Sequence, residues 1–240
     1  MPWEIIYLCS IAFAAGLVQG FSGFGVVLVS LPLMAFVIDI KIAIPLVLLL
    51  GMAINIILVI QLARHIEFRK CLPLLAASLP GIPMGVYTLK AVGTRPLEIL
   101  VGAMILLTAG TFLFLKPGTR QPARAWGWLA GLAAGFLGGS IGAAGPPVVI
   151  YTTLQPWTRH QIKSTMVGYF FTGGLGIIAI QLFSGIITPA VWRYWGLCLI
   201  PLVLGVLLGI RLYSQSNETI YQSVAMLMLT LLGFLLLLKG

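Results

Sequence analysis

The sequence predicts an all-α, polytopic membrane protein made of two inverted repeats. Each repeat is expected to hold a broken helix or re-entrant hairpin plus three transmembrane helices. Three observations carry this expectation. Of 240 residues, 60% are hydrophobic and only 8% are charged, and the mean hydropathy is +1.10. A soluble domain carries about 25% charged residues, so this chain has too little charge to keep its surface dispersed in water. The charges that are present punctuate long apolar runs, and a spaced glycine series in the first half returns in the second. Soluble enzymes, nucleic-acid modules and disordered chains are thereby excluded.

The balance of 14 Lys+Arg against 5 Asp+Glu gives a formal charge of +9. In a soluble protein this excess would suggest nucleic acid. Here it reads as membrane topology, because the basic residues stand between apolar runs. Cys9, Cys71 and Cys198 lie in or beside those runs without metal-ligand spacing, and read as small apolar fillers. The opening Met1-Pro2-Trp3-Glu4 has no basic n-region, and no small-residue cleavage site follows the first run. The first helix is therefore expected to remain in the mature protein.

Charge-free runs cover 5–38, 42–63, 71–89, 99–115, 125–158, 164–192, 194–210 and 219–238. A span needs about 20 apolar residues to cross a hydrocarbon core about 30 Å thick. Most of the runs fit one span each. The runs 5–38 and 125–158 hold 34 residues apiece, roughly 50 Å as one straight helix, and each contains glycines midway. Gly16, Gly20 and Gly23 match Gly138, Gly142 and Gly145 at an offset of 122. Ile40-Lys41 recurs as Ile162-Lys163 at the same offset, and Ile60-Gln61-Leu62 recurs as Ile180-Gln181-Leu182 at 120. Two homologous halves follow: residues 1–117 with a break near 19–25, and residues 124–240 with a break near 138–147. Residues 118–123 link them, within the Pro/Gly/Arg-containing stretch Lys116 to Arg124.

If both long runs cross once, the positive charges divide eight inside against six outside. If both enter and return, they divide nine against five. The positive-inside rule favours the second arrangement. The loop holding Arg64, Arg69 and Lys70 has an uncharged counterpart near 184–190, as expected when the two repeats face opposite ways.

Broken helices at membrane depth are tolerated where they line a cavity or lie inside protein. In inverted-repeat transporters such breaks form the substrate site. Glycine lets the backbone turn there and approach a ligand closely. The second helix of each run is expected to start near Phe24 and Pro146, because proline costs little at a first helical position. Free N–H groups at such a start favour a small anion. Candidate binding residues at the first break are Gln19, Gly20, Phe21, Ser22, Gly23, Phe24 and Gly25. At the second they are Ser140, Gly142, Gly145 and Pro146, with Tyr151, Gln155, Tyr169 and Thr172 following it. Asn55 lies deep in a span. Lys41, Arg159 and Lys163 serve as topology anchors or attract anions at the mouths. Gln61 and Gln181 read as interfacial residues of structural role, and the Met and Trp residues as core and interface anchors.

Gly16-Leu17-Val18-Gln19-Gly20-Phe21-Ser22-Gly23-Phe24-Gly25, leading to Leu31-Pro32-Leu33, resembles the first signature of the TauE/SafE sulfite exporter family. Gly138 to Tyr151, especially Gly145-Pro146-Pro147-Val148-Val149-Ile150-Tyr151, resembles the second. The resemblance covers nearly the whole chain. It implies a secondary transporter moving sulfite, sulfoacetate, organosulfonates or related anions. Val26-Val27 departs from the pattern, since many relatives continue with glycine.

Glu4, Asp39, Glu67, Glu98 and Glu218 all fall at predicted span ends. A carboxylate proton relay, common in pumps and transporters, therefore lacks its residue, and His65 or His160 are left as titratable groups. No P-loop, metal cluster or nucleophile–base pair is found, so neither ATP drive, a cofactor, a metal nor catalysis is expected. The expected partners are a small anion, either a sulfonate or a sulfur oxyanion, and the lipid bilayer. Nucleic acid is not expected, and a homodimer is left open. The expected location is the bacterial inner membrane, multi-pass. An anion channel of the same design, or a non-transporting subunit of a membrane complex, are the competing readings.

Overall fold

A computed structural model describes residues 2–22, 26–62, 66–114 and 124–213. Among these residues the chain is helical, without strands. Its helices are α1 (Pro2–Ser22), α2 (Val26–Ala35), α3 (Ile40–Leu62), α4 (Phe68–Ala91), α5 (Thr94–Phe114), α6 (Arg124–Ile141), α7 (Gly145–Leu154), α8 (Arg159–Phe183) and α9 (Pro189–Tyr213). Five carry apolar stretches long enough to cross a membrane: Trp3–Gly20, Ile40–Ile60, Phe68–Ala91, His160–Phe183 and Pro189–Leu212. Leu79, Tyr87 and Ile200 are at least 70% exposed on these helices. Hydrocarbon is the solvent that makes such exposure costless. Hydroxyls inside the helices satisfy themselves locally: Ser30 donates to Val26 O at 2.6 Å and Thr108 to Met104 O at 2.6 Å.

The chain divides into two compact units, each taking helices from both halves of the sequence. The first contains α1, α2, α3 as far as Ile54, α5 from Thr94 to Ala109, and α9. The second contains the rest of α3 from Asn55 and of α5 from Gly110, together with α4, α6, α7 and α8.

In the first unit, α1 and α9 run parallel with glycine at their contact. Gly16 faces Leu202 O, Gly20 faces Val206 O, and Gly205 of α9 faces Phe13 O. The Cys9 thiol also meets Leu197 O, at 3.6 Å. In the second unit, α6 and α4 make the corresponding parallel pair. Gly135 faces Ser78 O, Gly139 faces Ile82 O, and Gly81 of α4 faces Leu132 O. A Cβ at any of these three would stand 2.5 Å from the facing oxygen, closer than real Cβ atoms approach. The two seams correspond contact by contact: α1 maps onto α6 at an offset of 119, and α4 maps onto α9 at 124. The glycine register is thus 119 rather than the 122 read from sequence. Both offsets fit the sequence because Gly135, Gly139 and Gly142 repeat the same four-then-three spacing as Gly138, Gly142 and Gly145.

Helix α8 packs parallel to α4 along its whole length. Cys71 Sγ donates to Thr165 O (3.4 Å) near the first turns, Ser78 meets Tyr169 further along, and Lys90 Nζ reaches Ser184 O (2.9 Å) at the far end. Helix α7 runs back beside α6, so that Tyr151 stands over Gly127, close to the start of α6.

Gly135→Ala places a methyl group against Ser78 O and should destabilise the protein by about 1–3 kcal/mol. Gly51 has no neighbour within 4 Å of a Cβ, so Gly51→Ala should be neutral or stabilising by up to about 1 kcal/mol. Melting temperatures of the two variants in detergent check this, and equal melting temperatures would remove the seam from the account.

Candidate functional site

The helix ends that follow the two glycine seams carry most of the residues singled out from sequence. In the first unit, α1 ends at Ser22 and α2 begins at Val26. Gln19 Oε1 accepts from Val26 N at 3.0 Å, so this side chain caps the start of α2 and ties it to α1. Gly20 sits on the α9 backbone. Gly23, Phe24 and Gly25 lie outside the described residues, as do the side chains of Phe21 and Ser22.

In the second unit, α6 stops at Ile141 and α7 starts at Gly145. Gly142 has φ +70°, the left-handed conformation that glycine adopts without a Cβ penalty. Its N–H donates to Gly138 O (3.0 Å), and Ala143 N donates to Leu137 O (3.2 Å). The bond from Gly142 is the one made by a left-handed helix C-cap. Helix α7 opens on Ala144 without a side-chain cap, and prolines occupy its first positions. Pro146 and Pro147 have no N–H, which leaves the Ala144 and Gly145 amides as the donors of that turn, since Val148 N–H closes the first intrahelical bond of α7. A Cβ on Gly145 would meet nothing within 4 Å, so there is room beside it. Ser140 is fully buried, and its hydroxyl donates to Phe136 O at 2.8 Å. With its proton so engaged, the oxygen can act toward a further partner only as an acceptor.

The remaining sequence candidates are spread further along the same unit. Tyr169 OH pairs with Ser78 Oγ at 2.7 Å, and Ser78 also lies 2.9 Å from Gly131 O. This hydroxyl pair joins α4, α6 and α8 about two turns before Gly142. Thr172 donates back to Gly168 O (2.7 Å). Tyr151 packs edge-on against Trp157 with ring centroids 6.2 Å apart. Gln155 is the C-cap of α7, at the opposite end from Gly142. Asn55 is half-buried on α3. Lys41 is half-buried, with its backbone N–H on Asp39 Oδ1 (2.7 Å), and Lys163 is exposed. The Arg159 side chain lies outside the described ones.

Two residues gain weight that the sequence did not give them. Ser78 is a buried serine at the crossing of three helices; its signal was a polar residue one turn before Gly81 and two before Gly85. Gln181, read as interfacial, is fully buried, and its Nε2 donates to Gly139 O at 3.4 Å. Among the described residues no cluster of His, Cys, Asp and Glu has metal-holding geometry.

A family model for the TauE/SafE sulfite exporters matches residues 8–236, which include both glycine seams and both turns. The chain belongs to that family. Membership and the apolar helices make it a multi-pass transmembrane permease. No curated protein and no solved structure gives a match. Within this TauE/SafE chain, a polar cluster stands where α4 and α8 begin. Glu67 Oε1 accepts from Lys70 Nζ (2.9 Å) and Gln161 Nε2 (3.3 Å). Lys70 lies 5.1 Å over the Trp157 ring, and Thr158 and Gln161 form a capping box. The hydrogen bond from Lys70 holds the Glu67 carboxyl below its usual range. Desolvation opposes that bond less strongly than the bond lowers the value, and the Lys70 charge and the Gln161 amide add smaller lowering effects.

A carboxyl with a lowered folded pKa contributes stability that is present above its unfolded value and is lost as pH falls through the folded value. Glu67→Gln should therefore melt slightly below the parent near neutral pH. The difference should close well below the ordinary carboxylate range. A difference that persists in acid would show that the pairing is not what is lost.

Proposed function

We propose that this chain is a secondary transporter of small sulfur-containing anions, namely sulfite, sulfoacetate or other organosulfonates. It works by alternating access in the bacterial inner membrane, with its site at the two turns near residues 19–25 and 138–147. The observation that carries the proposal is the contact-by-contact equivalence of the two glycine seams, each leading directly into an interruption of the helix. Paired breaks of this kind form the substrate site in inverted-repeat transporters.

The parallel packing of α4 and α8 supports the inverted arrangement. If α4 and α5 each cross once, as their apolar runs suggest, a single crossing by α6 and α7 would leave α8 antiparallel to α4. A hairpin that enters and returns leaves α8 parallel to it, which agrees with the contacts at Cys71, Ser78 and Lys90. The return of α7 to Gly127 agrees as well. The two halves, residues 1–117 and 124–240, then face opposite ways, and each gives one helix to each seam.

The chemistry at the turns suits an anion. Helix N-termini present N–H donors and partial positive charge to whatever lies before them. Glycine leaves the approach open, and with neutral donors the anion's charge is met without a buried cation.

Thermal-shift titration in detergent tests the reading across sulfite, sulfate, sulfoacetate, taurine, an aryl sulfonate, acetate and chloride. A ligand at 100 times its Kd stabilises the folded state by about 2.7 kcal/mol. A sulfonate or sulfite should raise the melting temperature while acetate and chloride do not. Absence of a shift with every sulfur anion would contradict the proposal. Saturable counterflow in liposomes separates the carrier from a channel.

A further inference from the structure

Gln181 is fully buried on α8, and its side-chain amide is only half satisfied. Its Nε2 donates to Gly139 O at 3.4 Å, whereas its Oε1 has no hydrogen-bond partner. Gly139 O is one of the last four carbonyls of α6, which a helix leaves without intrahelical donors. Two neighbouring carbonyls are served by the turn itself, through Gly142 N on Gly138 O and Ala143 N on Leu137 O. The Gln181 amide serves the third. Its orientation is fixed by that bond, since the reverse orientation would set two oxygens against each other.

The amide oxygen is thus held in a dry place without a donor. An apolar side chain of similar volume would avoid the cost of burying it. Its position is informative. Ile177, one turn earlier on α8, lies against Gly138, so this face of α8 covers the last turn of α6 immediately before Gly142. The unpaired oxygen therefore lies beside the last turn of α6, which leads into the α6–α7 turn.

We infer that Gln181 Oε1 is a specificity-determining acceptor that selects sulfonates bearing an O–H or N–H donor beside the anionic group. The inference rests on the sulfonate-transport reading of the preceding subsection and adds to it a requirement on the substrate. An all-acceptor anion leaves Oε1 unpaired and sets oxygen against oxygen. A hydroxyl or ammonium on the same molecule satisfies it, while the α7 amides meet the sulfonate. Sites built to hydrogen-bond a substrate hydroxyl reject the analogue that lacks it, because their own buried polar group is then left without a partner.

The test compares isethionate with propane-1-sulfonate, in which a methyl group replaces the hydroxyl, by titration of the purified protein. The parent should bind isethionate about tenfold more tightly. Gln181→Met keeps the length of the side chain and removes the acceptor, so the two affinities should become equal. The comparison in the parent protein stands by itself if the Met variant does not fold. Equal affinities in the parent would overturn the inference, as would a preference unchanged in Gln181→Met. Either result leaves sulfonate transport standing. Binding of neither sulfonate would overturn the inference together with the organosulfonate part of the proposed function. A resident water as the sole partner of Oε1 would give equal affinities in the parent.

Discussion

Where α1 meets α9, and where α6 meets α4, glycine sets the backbone of one helix directly against carbonyl oxygens of the other. Lipid tails are as apolar as leucine, so helices in a bilayer gain little from burying apolar side chains against each other. Close approach at small residues takes over that role. Each seam ends within a few residues of the place where α1 or α6 stops. The ends of α1 and α6 are therefore set by the backbone contact just before them, and a side chain in the seam would move the helix end with it.

The turns inherit the electrostatics of their helices. Each has a C-terminal end with surplus carbonyls and an N-terminal end with surplus N–H groups. The carbonyl side is largely consumed within the protein: by Gly142, Ala143 and Gln181 at α6. At the first turn a side chain instead takes up a donor, as Gln19 accepts from Val26 N. Among the described residues the second turn keeps its proline-thinned set of amides beside an open glycine. Among the described residues no Lys or Arg is buried, so a ligand at this turn would meet neutral donors.

Much of this was legible in the sequence. Apolar length and sparse charge gave the helices and the membrane, and the overlong run 125–158 holds the end of α6 at Ile141 and the start of α7 at Gly145. The glycine register was legible only up to an ambiguity. Gly135-Gly139-Gly142 and Gly138-Gly142-Gly145 carry the same spacing, and only the facing carbonyls of Ser78 and Ile82 distinguish them. Gln181 was misplaced for a related reason. Its position near a loop suggested an interface, but its side chain turns inward to α6, a direction that linear spacing does not encode. Tyr169 was singled out as a polar aromatic near the second break. Its hydroxyl meets Ser78 about two turns away, because α4 brings a buried serine that only the packing of three helices reveals. The division into units was likewise hidden, since each seam pairs helices more than 50 residues apart in the chain.

In an inverted design α6 and α7 enter and leave the membrane on one side. Single cysteines at Ala125 and Thr158, in a background lacking Cys9, Cys71 and Cys198, report this directly through a membrane-impermeant thiol reagent on oriented vesicles. A third cysteine at Val92 marks the opposite face. Labelling of positions 125 and 158 from the same side, with 92 labelled from the other, is the predicted result. Labelling of 125 and 158 from opposite sides would make α6 and α7 one crossing and contradict the inverted design.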